Sequence, residues 1–336
     1  NEVKRLYDSY QENKLDYNKT KEIVDNLKDK EIPNEIIISV DEDDEYEERL
    51  CSPRYVDNGK VTKDTLSEHS RVLEINSKSG LYPLYIAYSI YKNIVEKEQM
   101  SYMITDAALA DRIVHHHKIW DKVLRDNLFI VCKTPMAKSI TFRTLAGFRE
   151  GVKLNAHHFE ELINQISNKK DKFVKQITSG SYWNKKDIQD MKFNAIIGNP
   201  PYQLTDGSGA AGDAAIPIYN RFIDIAKEIK PNYISMIMPS KWMIGGRGLQ
   251  QFRKDMIEDK HIEKLFDYEN DREVFPTSHI DGGVCYILWN KNYSGLVSYA
   301  YKPTDGGQLV YERELKNDTS SFIVRDFRRQ GIIQKV

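Results

Sequence analysis

Cysteine is scarce in this chain: three residues in 336, Cys51, Cys132 and Cys285, lie far apart in the sequence. Without paired spacing they offer neither a disulfide framework nor a thiolate metal site, and they read as reduced thiols. Long apolar runs are missing too. No stretch approaches the eighteen or so apolar residues that a bilayer-crossing helix needs, and the opening Asn1-Glu2-Val3-Lys4-Arg5-Leu6 has no apolar signal core. Membrane insertion and secretion are therefore not expected, and a cytoplasmic setting is. Charge of one sign is also lacking overall, with a formal net charge of −1. Proline is sparse as well, at eleven residues, yet two of them are adjacent at Pro200-Pro201.

The balanced charge hides an asymmetry. Residues 1–50 hold sixteen acidic and eight basic side chains, which leaves thirty-four acidic against forty-one basic in residues 51–336. A modest basic surplus in the larger part is compatible with phosphate contacts. Residues 1–50 read as an acidic, mostly helical N-terminal extension, with one short strand at Glu35–Val40.

From residue 71 the pattern alternates between strands and helices, which predicts an α/β fold with a mainly parallel sheet. Strands are expected at Arg71–Ile75, Asn127–Cys132, Phe193–Ile197, Tyr233–Met238, Ile262–Phe266 and Val284–Trp289. Helices are expected at Leu81–Glu96, whose first turn tolerates Pro83, and at Ile218–Ile229.

The proline pair closes the strand Phe193–Ile197 in the turn Asn199-Pro200-Pro201-Tyr202. Each proline fixes its own φ and restricts the residue before it, so Asn199 and the Pro200 carbonyl are held in one extended geometry. Such a turn can aim two oxygen acceptors at a planar amine, with the Tyr202 ring beside them as a flat surface for a base. The glycine-rich stretch Asp206–Asp213 follows, and reads as a loop able to close over a substrate. Three consecutive histidines, His115–His117, cannot all face one ion from a helix, so no metal is expected there.

The turn, its strand and the segments after it resemble the gamma-class adenine-specific DNA methyltransferases, especially the methylase parts of multifunctional restriction-modification enzymes. The resemblance spans roughly residues 51–300. It implies a Rossmann-like S-adenosylmethionine-dependent methyltransferase fold. It also implies that Asn199 and the Pro200 carbonyl accept from the adenine amino group, that Pro201 stiffens the turn, and that Tyr202 stacks on the flipped ring. Pro53, Glu74, Asn76, Ser77 and Gly80 would then hold S-adenosylmethionine, and Phe275 would touch the extruded base.

Two places depart from the family pattern. Lys78 stands where the family has the first glycine of its cofactor turn, and Cys132-Lys133 stands where a carboxylate usually holds the cofactor ribose. Asn155–His158 occupies a third motif, again without the usual carboxylate. Lys241, Arg247, Arg253 and Lys254 are candidates for phosphate contacts.

The expected domains are an extension over 1–50, a methyltransferase catalytic domain over 51–300, and the start of a target-recognition-like region over 301–336. The chain reads as a fragment of a longer polypeptide. The expected activity is methyl transfer to adenine in double-stranded DNA within a restriction-modification system, with further domains or subunits of such an enzyme as partners. A non-catalytic DNA-binding or assembly module, or a protein-glutamine methyltransferase, are the alternatives.

Overall fold

The computed structural model describes residues 67–98, 109–204, 216–316 and 322–329. Pro53, the Glu35–Val40 strand and the Asp206–Asp213 loop lie outside the described residues. The chain divides into two compact units, residues 1–62 with 101–113, and residues 63–100 with 114–336.

Its elements run β1 (Val72–Ser77), α1 (Leu81–Lys97), α2 (Leu109–Asp126), β2 (Leu128–Cys132), α3 (Pro135–Ala146), β3 (Asn155–His158), α4 (Leu162–Asn168), α5 (Lys170–Ile177) and β4 (Ala195–Gly198). After the two-residue strands β5 (Gln203–Leu204) and β6 (Ile216–Pro217) come α6 (Tyr219–Ile229), β7 (Tyr233–Pro239), α7 (Gln250–Glu258), β8 (Ile262–Tyr268), β9 (Val284–Asn290), β10 (Val297–Lys302) and β11 (Leu309–Arg313).

Nine strands form one sheet in the order β11-β10-β8-β9-β7-β4-β1-β2-β3. β3, β2, β1, β4 and β7 are mutually parallel, β9 runs antiparallel between β7 and β8, and β11 is an antiparallel edge on β10. The fold is therefore α/β with a mostly parallel sheet, as the alternation of elements predicts. The order β3-β2-β1-β4 reverses between β1 and β4, which makes their carboxyl ends the switch point where doubly wound sheets form a crevice.

Local chemistry explains the central strands. All six residues of β1 and all five of β2 are buried, as expected of parallel strands covered on both faces. Alternate side chains of β2 then feed two cores: Leu128, Ile130 and Cys132 face the cluster with α1, α2 and α3, while Phe129 and Val131 face the larger one. Phe129 meets Trp183 and Phe193 edge to face at 5.3 and 5.4 Å. Truncating so enclosed a ring costs about 3–5 kcal/mol. α3 begins where Thr134 caps it, its hydroxyl accepting from the Ala137 amide at 3.1 Å, with Pro135 in the first turn.

The sheet does not stop at residue 300. That expected boundary falls inside β10, and Ile323 is buried in the main core. A buried ion pair ties the later segment down. Asp267, at the end of β8, accepts from Arg325 Nε and Nη2, both at 2.6 Å, from Ser240 Oγ at 2.6 Å and from Tyr299 OH at 2.7 Å. Arg325 also donates to the Gly282 carbonyl at 2.8 Å. With every oxygen of the carboxylate engaged, the pair offsets the cost of burying two charges, and removing one partner would strand the other.

Candidate functional site

Two turns meet at the switch point. The first leaves β1 as Asn76-Ser77-Lys78-Ser79-Gly80, and the second leaves β4 as Asn199-Pro200-Pro201-Tyr202. They are joined by a hydrogen bond from Asn76 Nδ2 to the Asn199 carbonyl at 3.3 Å. At their far ends, the two strands are pinned by the Asn194 side chain, which accepts from the Arg71 amide at 2.8 Å.

The β1 turn is shaped by unusual backbone. Asn76 has φ 77°, in the left-handed region that few residues besides glycine and asparagine enter. Gly80 also has φ 77°, and a Cβ there would lie 3.0 Å from Thr141 Cα on α3. Lys78 lies outside the positive-φ residues and is exposed, so its backbone does not require a glycine. The left-handed position in this turn is Asn76 rather than Lys78.

Buried polar groups without partners gather in this turn. Glu74 is 4% exposed with Oε2 unpartnered, and Asn76 is 3% exposed with Oδ1 unpartnered. Burial pushes the Glu74 carboxyl up to about 7, against opposing pulls from the Ser77 hydrogen bond and the Lys78 charge. Ser77 Oγ lies 3.3 Å from Thr141 Oγ1. Orphaned acceptors of this kind cost about 1–3 kcal/mol each, and a ligand offering N–H or O–H donors recovers that energy.

In the β4 turn, Pro200 is buried while Asn199 and Pro201 are half-buried. The Asn199 amide has no hydrogen-bond partner among the described residues, so its acceptor is free for a ligand. Tyr202 is half-buried and rests against the main core, with its hydroxyl buried and unpartnered. Burial raises that hydroxyl well above the ordinary phenol range. Only part of the ring is therefore open to a base.

Other expected residues lie elsewhere. Phe275 is half-buried on the loop after β8, three strands along the sheet from β4, with its amide donating to the Asp271 carbonyl at 2.8 Å. Lys241 pairs with Asp281, and Arg253 donates to the Trp242 and Gly245 carbonyls, so these two cations are engaged by the protein. Arg247 and Lys254 are exposed. His115 meets Glu98 at 3.1 Å while His116 meets the Tyr91 hydroxyl at 2.6 Å, so these neighbours point to separate partners. At the end of β2, Cys132 is fully buried and its thiol is pushed up to about 11, so it presents no charge to the crevice. Thr141, which buttresses both Ser77 and Gly80, was not legible from the sequence, since a threonine inside a helix carries no local signal.

The family model described as "Eco57I restriction-modification methylase" matches residues 126–275. A protein of Mycoplasma pneumoniae described as an uncharacterized adenine-specific methylase is 35% identical, over 38% of this chain and 34% of its own length. The chain thus spans about a third of that relative. Among solved structures, the type IIL restriction-modification enzyme MmeI in complex with DNA shows a TM-score of 0.47 at 10% identity, covering 84% of this chain and 41% of that one. The EcoKI M protein, a type I restriction enzyme component, shows 0.45 at 10% identity, covering 80% and 50%. The matched segment runs from the end of α2 to Phe275 and encloses the Asn199–Tyr202 turn.

Proposed function

We propose that this chain transfers a methyl group from S-adenosylmethionine to the exocyclic amino group of an adenine extruded from double-stranded DNA, as the methylase part of a restriction-modification enzyme. The observation that carries this reading is the meeting of two turns at the switch point. One offers unpartnered buried acceptors, and the other offers a free amide on a proline-stiffened corner.

The residues present fit the cofactor. Glu74 Oε2 and Asn76 Oδ1 lack partners where donors of a nucleoside or amino-acid ligand would reach them, and the absence of a side chain at Gly80 lets the turn pack against Thr141 of α3 in its left-handed shape. Glu74, Asn76, Ser77 and Gly80 would hold it. When bound, S-adenosylmethionine supplies an already activated methyl group. The protein's task is then positional. Asn199 Oδ1 and the Pro200 carbonyl accept from the adenine amine, orient its lone pair and stabilise the positive charge developing on nitrogen. The open part of Tyr202 stacks on the base, which must leave the helix to expose its paired amine.

Calorimetric titration with S-adenosylmethionine, followed by transfer of labelled methyl to DNA and to protein acceptors, tests the proposal. Saturable binding with label in DNA adenine supports it. Label in protein glutamine instead would favour the amide-methylating alternative, and absence of binding to the folded chain would favour a non-catalytic module.

A further inference from the structure

A cavity of about 450 Å³ opens at the carboxyl ends of β2 and β3, beside the Tyr202 turn. Its apolar surface comes from Leu162, Ile163 and Leu204, and its polar wall from Glu161 and Asn164, with Lys133 also lining it. Glu161 is exposed to this space and has φ 50°, left-handed backbone for a residue that is neither glycine nor asparagine. Such conformations persist where the surrounding structure enforces them and cluster at ligand sites. One carboxylate oxygen, Oε2, is held by Asn164 Nδ2 at 3.0 Å, and Asn164 is itself held through Oδ1 by Asn168 Nδ2 at 2.7 Å. No hydrogen bond to Oε1 is found among the described residues.

The end of β2 offers no carboxylate, only buried Cys132 and exposed Lys133. A carboxylate is acceptor-only and matches the vicinal hydroxyls of a ribose, as in dinucleotide-binding sheets that place an acidic residue there. We infer that Glu161 is the ribose-binding carboxylate of this chain, accepting from the hydroxyls of a nucleoside whose base lies against Leu204 and Ile163. The inference rests on the proposed cofactor and adds the residue that replaces the one missing from β2. Asn164 acts as a positioning residue, fixing the carboxylate through Oε2.

The test is the affinity of S-adenosylhomocysteine and of its 2′,3′-dideoxyribose analogue for the full chain and for Glu161→Gln, measured by calorimetry. The exposed, isosteric substitution should leave the melting temperature unchanged. Wild type should bind the parent compound at least tenfold more tightly than the dideoxy analogue. Glu161→Gln should lose at least tenfold for the parent compound and discriminate little between the two ligands. Asn164→Ala should lose a smaller factor in the same direction. Equal affinity of wild type and Glu161→Gln for S-adenosylhomocysteine overturns the inference while leaving the proposed function standing. Failure of the wild type to bind either ligand overturns both.

Discussion

The two turns at the switch point achieve rigidity by opposite means. The turn after β4 is stiffened covalently, by two pyrrolidine rings that leave Asn199 few alternatives. The turn after β1 is stiffened by context: left-handed Asn76, Gly80 pressed on Thr141, and a Glu74 side chain buried with an unpartnered oxygen. A covalently stiffened turn keeps its shape in any surroundings, whereas a contextually stiffened one stores energy that a ligand can release. The first is suited to aiming acceptors, the second to gripping a cofactor.

The largest effect should come from removing the aimed acceptor. Asn199→Ala is expected to slow methyl transfer by about a hundredfold or more, on the scale of losing one preorganised transition-state partner, while DNA affinity stays within about threefold. Single-turnover transfer rates and DNA-binding isotherms on the same preparations check this. Equal losses in both would make the two turns alike, each serving binding.

Next is the stored energy at Glu74. Its folded-state carboxyl titrates near 7 against an unfolded 4.5, so the native state binds the extra proton. Its contribution is fully present below pH 4.5 and is lost as pH rises to about 7, amounting to on the order of 3 kcal/mol. Urea midpoints of wild type should fall over that window relative to Glu74→Gln, which cannot ionise. Parallel pH profiles for the two proteins would mean that Glu74 stores nothing.

Gly80→Ala forces a side chain into φ 77° and to 3.0 Å from Thr141 Cα, so a loss of about 1–2 kcal/mol is expected. The contrast sharpens with Pro200→Ala, which should cost only about 0.5–1 kcal/mol, through greater freedom of the unfolded chain. Thermal melts of the pair rank them. Pro200→Ala costing more than Gly80→Ala would reverse the roles assigned to the two turns.

The same difference decides what could be read from the chain alone. The Asn199–Tyr202 turn was legible because proline acts locally. The strands over 72–77, 128–132, 195–198, 233–239, 262–268 and 284–290 were legible because apolar runs were bounded by turn residues. The left-handed backbone at Asn76, the Thr141 buttress and the Glu161 wall depend on contacts across the fold, and no local pattern announces them. Likewise the sheet's continuation through β10 and β11 is secured by Arg325 reaching Asp267, fifty-eight residues away in sequence. Tyr202 was legible as an aromatic beside the clamp, but not as a ring half packed into the core.

The central claim is that the Asn199 corner presents acceptors to an adenine amine. Mass spectrometry of nucleosides from DNA incubated with S-adenosylmethionine and either wild type or Asn199→Ala addresses it most directly. The expected result is N6-methyladenine with wild type and almost none with the variant. Methyl groups on cytosine carbon, or equal N6-methyladenine from both proteins, would contradict it.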